Sequence, residues 1–196
     1  MTGTMLYLRS RRVPLALVAA VGGAAVVWAL CLAFAEERDI TVLVVVMTVL
    51  LMVAALSPTL AGPDENLDRT ASMRWPWWRA AHLIAALLVV LAVLLVTRQT
   101  GARFGPAALV VRDAAGLLGL TALCASVVGA ARSWFLPLGW TVVAAMYPQQ
   151  GVWGATATWQ GQPPGSDAAM LTAGVLALGG LIAYSIAGPA RRAASE

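Results

Sequence analysis

The chain contains no lysine; its thirteen basic residues are all arginine. Charged residues of both signs make up only 11% of it, where a soluble domain carries about 25%. So few charges leave no material for a separate water-exposed domain. One histidine and two cysteines, Cys31 and Cys124, are too few and too scattered for a structural zinc site, so no metal site is expected. There is no HExxH, no GxSxG, no paired carboxylates and no phosphate-binding Walker loop. No catalytic residue and no cofactor are therefore expected, and any ATP hydrolysis would belong to another chain. No Asp or Glu lies in the core of an apolar stretch, which argues against a proton relay. The net charge of +4 does not point to nucleic acid, because the arginines are spread between apolar stretches rather than gathered into a patch.

What the chain has in abundance is apolar sequence: 60% of its 196 residues. This is gathered into six stretches, Pro14–Ala35, Ile40–Ser57, Ala80–Thr97, Ala107–Ala131, Ser133–Tyr147 and Ala168–Ala187. Most come near the roughly 20 residues that a bilayer-crossing helix needs. The expected fold is all-α: a single polytopic transmembrane helical bundle, residues 1–196, with six spans in a cell membrane. The fifth stretch is the shortest, and Pro137 and Gly139 lead us to expect a kink, or a preceding turn placed earlier, near Gly129.

Arginines set the orientation. Arg9, Arg11, Arg12, Arg69, Arg74, Arg79, Arg132, Arg191 and Arg192 fall on one side; Arg38, Arg98 and Arg103 fall on the other, and Arg112 lies inside the fourth span. Cationic flanks mark the cytoplasmic side, so both termini are expected inside. Ala33-Phe34-Ala35 resembles a signal-peptide cleavage site, but the preceding apolar run is longer than the roughly 7–15 residues of a signal sequence, so the first span is expected to be retained. Cys31 near the outer end of span one and Cys124 near the inner end of span four differ too much in depth for a disulfide.

Two connections exceed a turn. The inner loop, 58–79, carries Pro58, Gly62 and Pro63, which end a helix, then Asp64, which can cap a short helix running through Met73. Asp64, Leu67, Asp68 and Arg69 are the candidate docking residues for a cytoplasmic partner, the bland alternative being a solvated connector. Trp75, Trp77 and Trp78 follow as candidate interfacial anchors, indole rings half in the bilayer and N–H groups wet. The outer loop, 148–167, has no arginine and carries Trp153 and Trp159. Its Val152–Trp159 run can dip back toward the bilayer as a short helix, or lie as a flexible loop anchored by the two tryptophans.

Arg112 and Asp113 are the only charged pair within a span. Arg112 lies five residues, about 7.5 Å, from the outer end of its helix. An anchoring role and a role in an outer vestibule with Asp113, Trp153 and Trp159 both remain open. Adjacent residues point about 100° apart on a helix, so each is expected to find a different partner. His82, near the inner end of span three, reads as an interfacial hydrogen-bonder. Small residues recur in spans one, four and six (Gly22, Gly23; Gly116, Gly119; Gly174, Gly179, Gly180), where they allow close helix contact within the bundle or between copies.

As an architecture over its whole length, the chain resembles the membrane subunit of an ABC exporter of the type-2 class, in a small actinobacterial form. That resemblance implies six spans with both termini inside, a coupling helix at Asp64–Met73 docked on a separate ATPase, and an outer gate segment at Pro148–Asp167. It implies export of an amphipathic compound or peptide together with other membrane subunits, as a homo- or heterodimer in the lipid bilayer. The competing expectation is a non-transporting accessory or structural membrane protein that stabilises or regulates another complex.

Overall fold

The computed structural model describes residues 9, 11–34, 40–61, 75–100, 102–147 and 151–190. Among them there is no strand. The described residues form, in order, the α-helices α1 (Val13–Phe34), α2 (Val42–Leu56), α3 (Trp75–Val96), α4 (Ala107–Val128), α5 (Phe135–Met146), α6 (Gly151–Ala157) and α7 (Asp167–Ala187). Tight 3₁₀ turns close α2 (Ser57–Leu60), α3 (Thr97–Gln99) and the return from α4 (Ala130–Arg132), and one follows α6 (Trp159–Gly161).

Among the described residues five helices are long and apolar enough to cross a membrane: α1, α2 with its extension to Leu60, α3, α4 and α7. The fifth apolar stretch forms only the twelve-residue α5, about 18 Å long at 1.5 Å per residue, short of a hydrocarbon core of about 30 Å. Pro137 causes no kink there. It sits in the first turn, where its missing N–H has no helical acceptor to lose. The turn comes earlier, at Gly129, whose φ of 88° ends α4 three residues before the expected Ala131. Helix α3 begins five residues before the expected Ala80, because Pro76 is compatible with a first turn and draws Trp77 and Trp78 into the helix.

Packing fixes the directions of the helices. In α1 only Ala16, Ala20 and Ala24 are buried, a stripe four residues apart laid against α2, with Gly23 beside Leu51. Leu15, Val18, Val26, Leu30 and Phe34 on its other faces are exposed. Helices α2 and α4 form the centre; 72% of the central window of α4 is buried. The closest pair is α4 with α7: Gly116 faces Ala173, Gly119 faces Ala177 and Gly180, and the Ala190 N–H donates to the Ala125 carbonyl at 2.8 Å. Numbers rise together along both helices, so α4 and α7 run parallel. The intervening residues 129–166 must therefore carry the chain back from one end of the bundle to the other.

Both described ends of the chain lie together. Arg11 donates to the Tyr184 hydroxyl and to the carbonyls of Thr59 and Leu60. This terminal end also holds the start of α3, since His82 meets Thr59 and Arg79 meets the Ile186 carbonyl. At the distal end the Ile40 N–H donates to the Arg103 carbonyl at 3.0 Å, and Trp28 Nε1 donates to Thr100 Oγ1 at 3.1 Å. Helices α1 to α4 therefore alternate in direction along the chain, and α7 runs the same way as α4. Apolar side chains such as Leu171, Val175, Leu178, Ile182 and Ile186 face outward along the length of α7. Continuous apolar faces of this size suit lipid rather than water.

Candidate functional site

The distal end carries a buried polar cluster built by α4 and the return segment. Arg112 and Asp113 lie in the second turn of α4, and their side chains have no solvent exposure. Arg112 Nε donates to Asp113 Oδ1 at 2.8 Å. Its Nη1 donates to the Pro163 carbonyl at 3.1 Å, and its Nη2 to the carbonyls of Gln160 (3.3 Å) and Gln162 (3.0 Å). One planar guanidinium thus holds a carboxylate and three backbone carbonyls, which suits its rigid fork of donors. The expectation of separate partners does not hold: the arginine side chain is long and flexible enough to turn back onto the next residue's carboxylate.

The segment that Arg112 grips is folded in, not looped out. Helix α6 is followed by Thr158, whose hydroxyl donates to the Gly154 carbonyl, and then by Trp159, which has 0% exposure. The Trp159 ring lies over Gly116, where an added Cβ would come within 2.7 Å of the ring. Trp140 Nε1 on α5 donates to the Ala157 carbonyl at 2.7 Å, and Gln160 Nε2 donates to Thr141 Oγ1 at 3.4 Å. The segment is therefore pinned on one side to α5 and on the other to α4. Gly116 is nine residues into α4, so the indole reaches about 13 Å along that helix. Three buried atoms in the cluster, Asp113 Oδ2, Trp159 Nε1 and Gln160 Oε1, have no protein partner among the described residues. Two acceptors and one donor remain available, a combination that ordered water can satisfy.

Of the four residues considered for an outer vestibule, the structure brings together Arg112, Asp113 and Trp159. Trp153 stands apart, 87% exposed on α6. Trp77 (73% exposed) and Trp78 lie in the first turn of α3. Trp75 begins that helix. Asp64, Leu67, Asp68 and Arg69 fall outside the described residues.

A second polar cluster at the terminal end was not singled out from sequence. Arg11 is buried, and Tyr184 Oη donates to the Leu60 carbonyl at 2.6 Å. Thr59 gives its hydroxyl proton to the Leu56 carbonyl, so its oxygen is left to accept from His82 Nε2 at 2.9 Å. The cluster joins the N-terminal segment, the end of α2, α3 and α7. Tyr184, the one tyrosine within a predicted span's interior, was the signal available for it. Cys31 and Cys124 are both free thiols, as their depths led us to expect.

The arrangement defines a class: an all-helical protein with five helices of membrane-crossing length and apolarity among the described residues, whose buried charged side chains Arg11, Arg112 and Asp113 lie towards the two ends of the bundle. Comparison with protein families, with curated proteins and with solved structures gives no match.

Proposed function

We propose that the chain is the membrane subunit of an ATP-driven exporter of the type-2 ABC kind, crossing the cell membrane six times with both termini in the cytoplasm. A separate ATPase and a second membrane subunit complete the machine. The observation that carries this reading is the folded-in segment Gly151–Gly161. It sits between the return helix α5 and the last helix, at the place where the architecture has an outer gate. The terminal end of the bundle is then cytoplasmic, in line with its exposed Arg9, Arg12 and Arg132. The described residues that flank 62–74, Ala61 and Trp75, lie at that end, and the candidate docking residues fall between them in sequence. The α5 return supplies the fifth crossing in shortened form.

A second reading, a non-transporting accessory subunit, is favoured by one feature. The cavity between α3, α4 and α7 has a volume of only about 120 Å³ and is lined by apolar residues such as Leu83, Leu87, Leu118 and Leu181. In the exporter reading, the path for a larger compound forms between two subunits rather than inside one.

Co-purification from native membranes separates the two. The exporter reading expects an ATPase chain to be retained by the wild type. Leu67→Asp, which puts an unpaired charge at the apolar anchor of the docking helix, should lower that retention about tenfold or more. Absence of any nucleotide-hydrolysing partner with wild type, or indifference to the substitution, sinks docking and favours the accessory reading.

A further inference from the structure

A groove opens at the distal end between α6 and the first turns of α7. Its volume is about 590 Å³, within the roughly 300–1,000 Å³ of small-molecule sites. Val152, Leu171 and Val175 supply apolar walls and are themselves exposed, so the groove opens sideways toward the surrounding lipid. Its polar lining is one-sided in chemistry. Thr156 Oγ1 already donates to the Val152 carbonyl at 2.9 Å, and Thr172 Oγ1 to the Ala168 carbonyl at 2.7 Å. Both hydroxyls are left with acceptor lone pairs only. Asp167, the third polar side chain, is an exposed carboxylate with no ion pair among the described residues. The groove thus offers apolar contact, acceptors and a negative charge, and no free side-chain donor.

We infer that this groove is a binding site for an amphipathic organic cation, with the cationic head at Asp167 and the apolar body along Leu171 and Val175. An anion of the same shape would meet the Asp167 carboxylate and the acceptor-only hydroxyls, with only the partial charge at the start of α7 in its favour. The start of α7 opposes a cation with roughly half a unit of positive charge, but the Asp167 carboxylate attracts it with a whole unit of negative charge. Under the proposed topology the site lies at the outer leaflet, so it deepens the exporter reading by naming the class of compound released there. Its role in export rests on that reading; the binding itself does not.

The test uses two ions of one shape and opposite charge, tetraphenylphosphonium and tetraphenylborate. Each is titrated onto the full-length protein in phosphatidylcholine nanodiscs, with empty nanodiscs subtracted. Saturable binding of the phosphonium and none of the borate is expected. Asp167→Asn should weaken the phosphonium about fivefold, the scale of a partly solvated ion pair, and Leu171→Trp should weaken it by filling the groove. Equal binding of both ions, no saturable binding, or indifference to Asp167→Asn would overturn the inference and leave the groove to lipid chains or a second copy. No ATPase is present in this assay, so a negative result here leaves the exporter reading standing. A failed co-purification likewise leaves the groove standing.

Discussion

Replacing Arg112 with alanine is expected to destabilise the bundle by about 3–5 kcal/mol, the cost of breaking a buried ion pair from one side. The loss would be read as a lowered unfolding midpoint of the purified protein in detergent. The alanine leaves Asp113 buried without its cation, and it releases the carbonyls of Gln160, Gln162 and Pro163 together. Arg112→Lys should fall between wild type and alanine, because a single ammonium cannot span the carboxylate and three carbonyls at once. Removing both charges, Arg112→Leu with Asp113→Leu, should cost less than alanine alone, since no lone charge is then left buried. A second readout places the damage: a cysteine at Gly161 should become more reactive in Arg112→Ala, because the segment has lost its grip on α4. An unchanged midpoint and unchanged reactivity would mean that the guanidinium does not hold the segment.

The second large effect is expected at the contact of α4 with α7. A Cβ at Gly180 would lie 2.6 Å from the Gly119 carbonyl carbon and closer still to its oxygen, and one at Gly119 would lie 2.7 Å from the Ala177 nitrogen. The obstacle in each case is backbone, which cannot swing aside as a side chain can. Two effects oppose one another in Gly180→Ala. Alanine is favoured over glycine in a helix by about 1 kcal/mol, while overpacking a close contact costs about 1–3 kcal/mol or more. Steric obstruction by backbone should win, and Gly180→Ala should lower the unfolding midpoint, with Gly180→Leu preventing assembly of the pair. Gly174→Ala is the internal control. It lies on the same helix with nothing within 4 Å of its added Cβ, so it should be neutral or slightly stabilising. Equal effects at Gly174 and Gly180 would show that the two helices do not approach as described.

The helical class and most helix limits were legible in the sequence, because hydropathy over some twenty residues is a local property. The exceptions have local causes too. Pro76 permits a helix start that the hydropathy of Ala80 onward does not mark, and Gly129 ends α4 while the apolar run continues to Ala131. The candidate site was legible in its parts and not in its assembly. Arg112 was visible, but its carbonyl partners lie 48 to 51 residues away, and nothing local foretells that pairing. One signal was present. Arg112, Gly116 and Gly119 are spaced by four and three, so they share a face of α4. A charged residue above two glycines on one stripe faces protein rather than lipid. Trp153 and Trp159 could not be told apart by type or by loop. Only the open space over Gly116 decides that Trp159 is buried and Trp153 is not.

Six crossings with a shortened fifth, closed off by a folded-in outer segment, is the claim from which the exporter reading follows. Single cysteines at Ala131, at Gly165 and at Asn66, in a chain carrying Cys31→Ser and Cys124→Ser, test it in whole cells with a membrane-impermeant thiol reagent. Gly165 should be labelled in intact cells, while Ala131 and Asn66 should be labelled only after the membrane is opened. Labelling of Ala131 and Gly165 from the same side would mean that residues 129–166 do not cross, and would contradict the account.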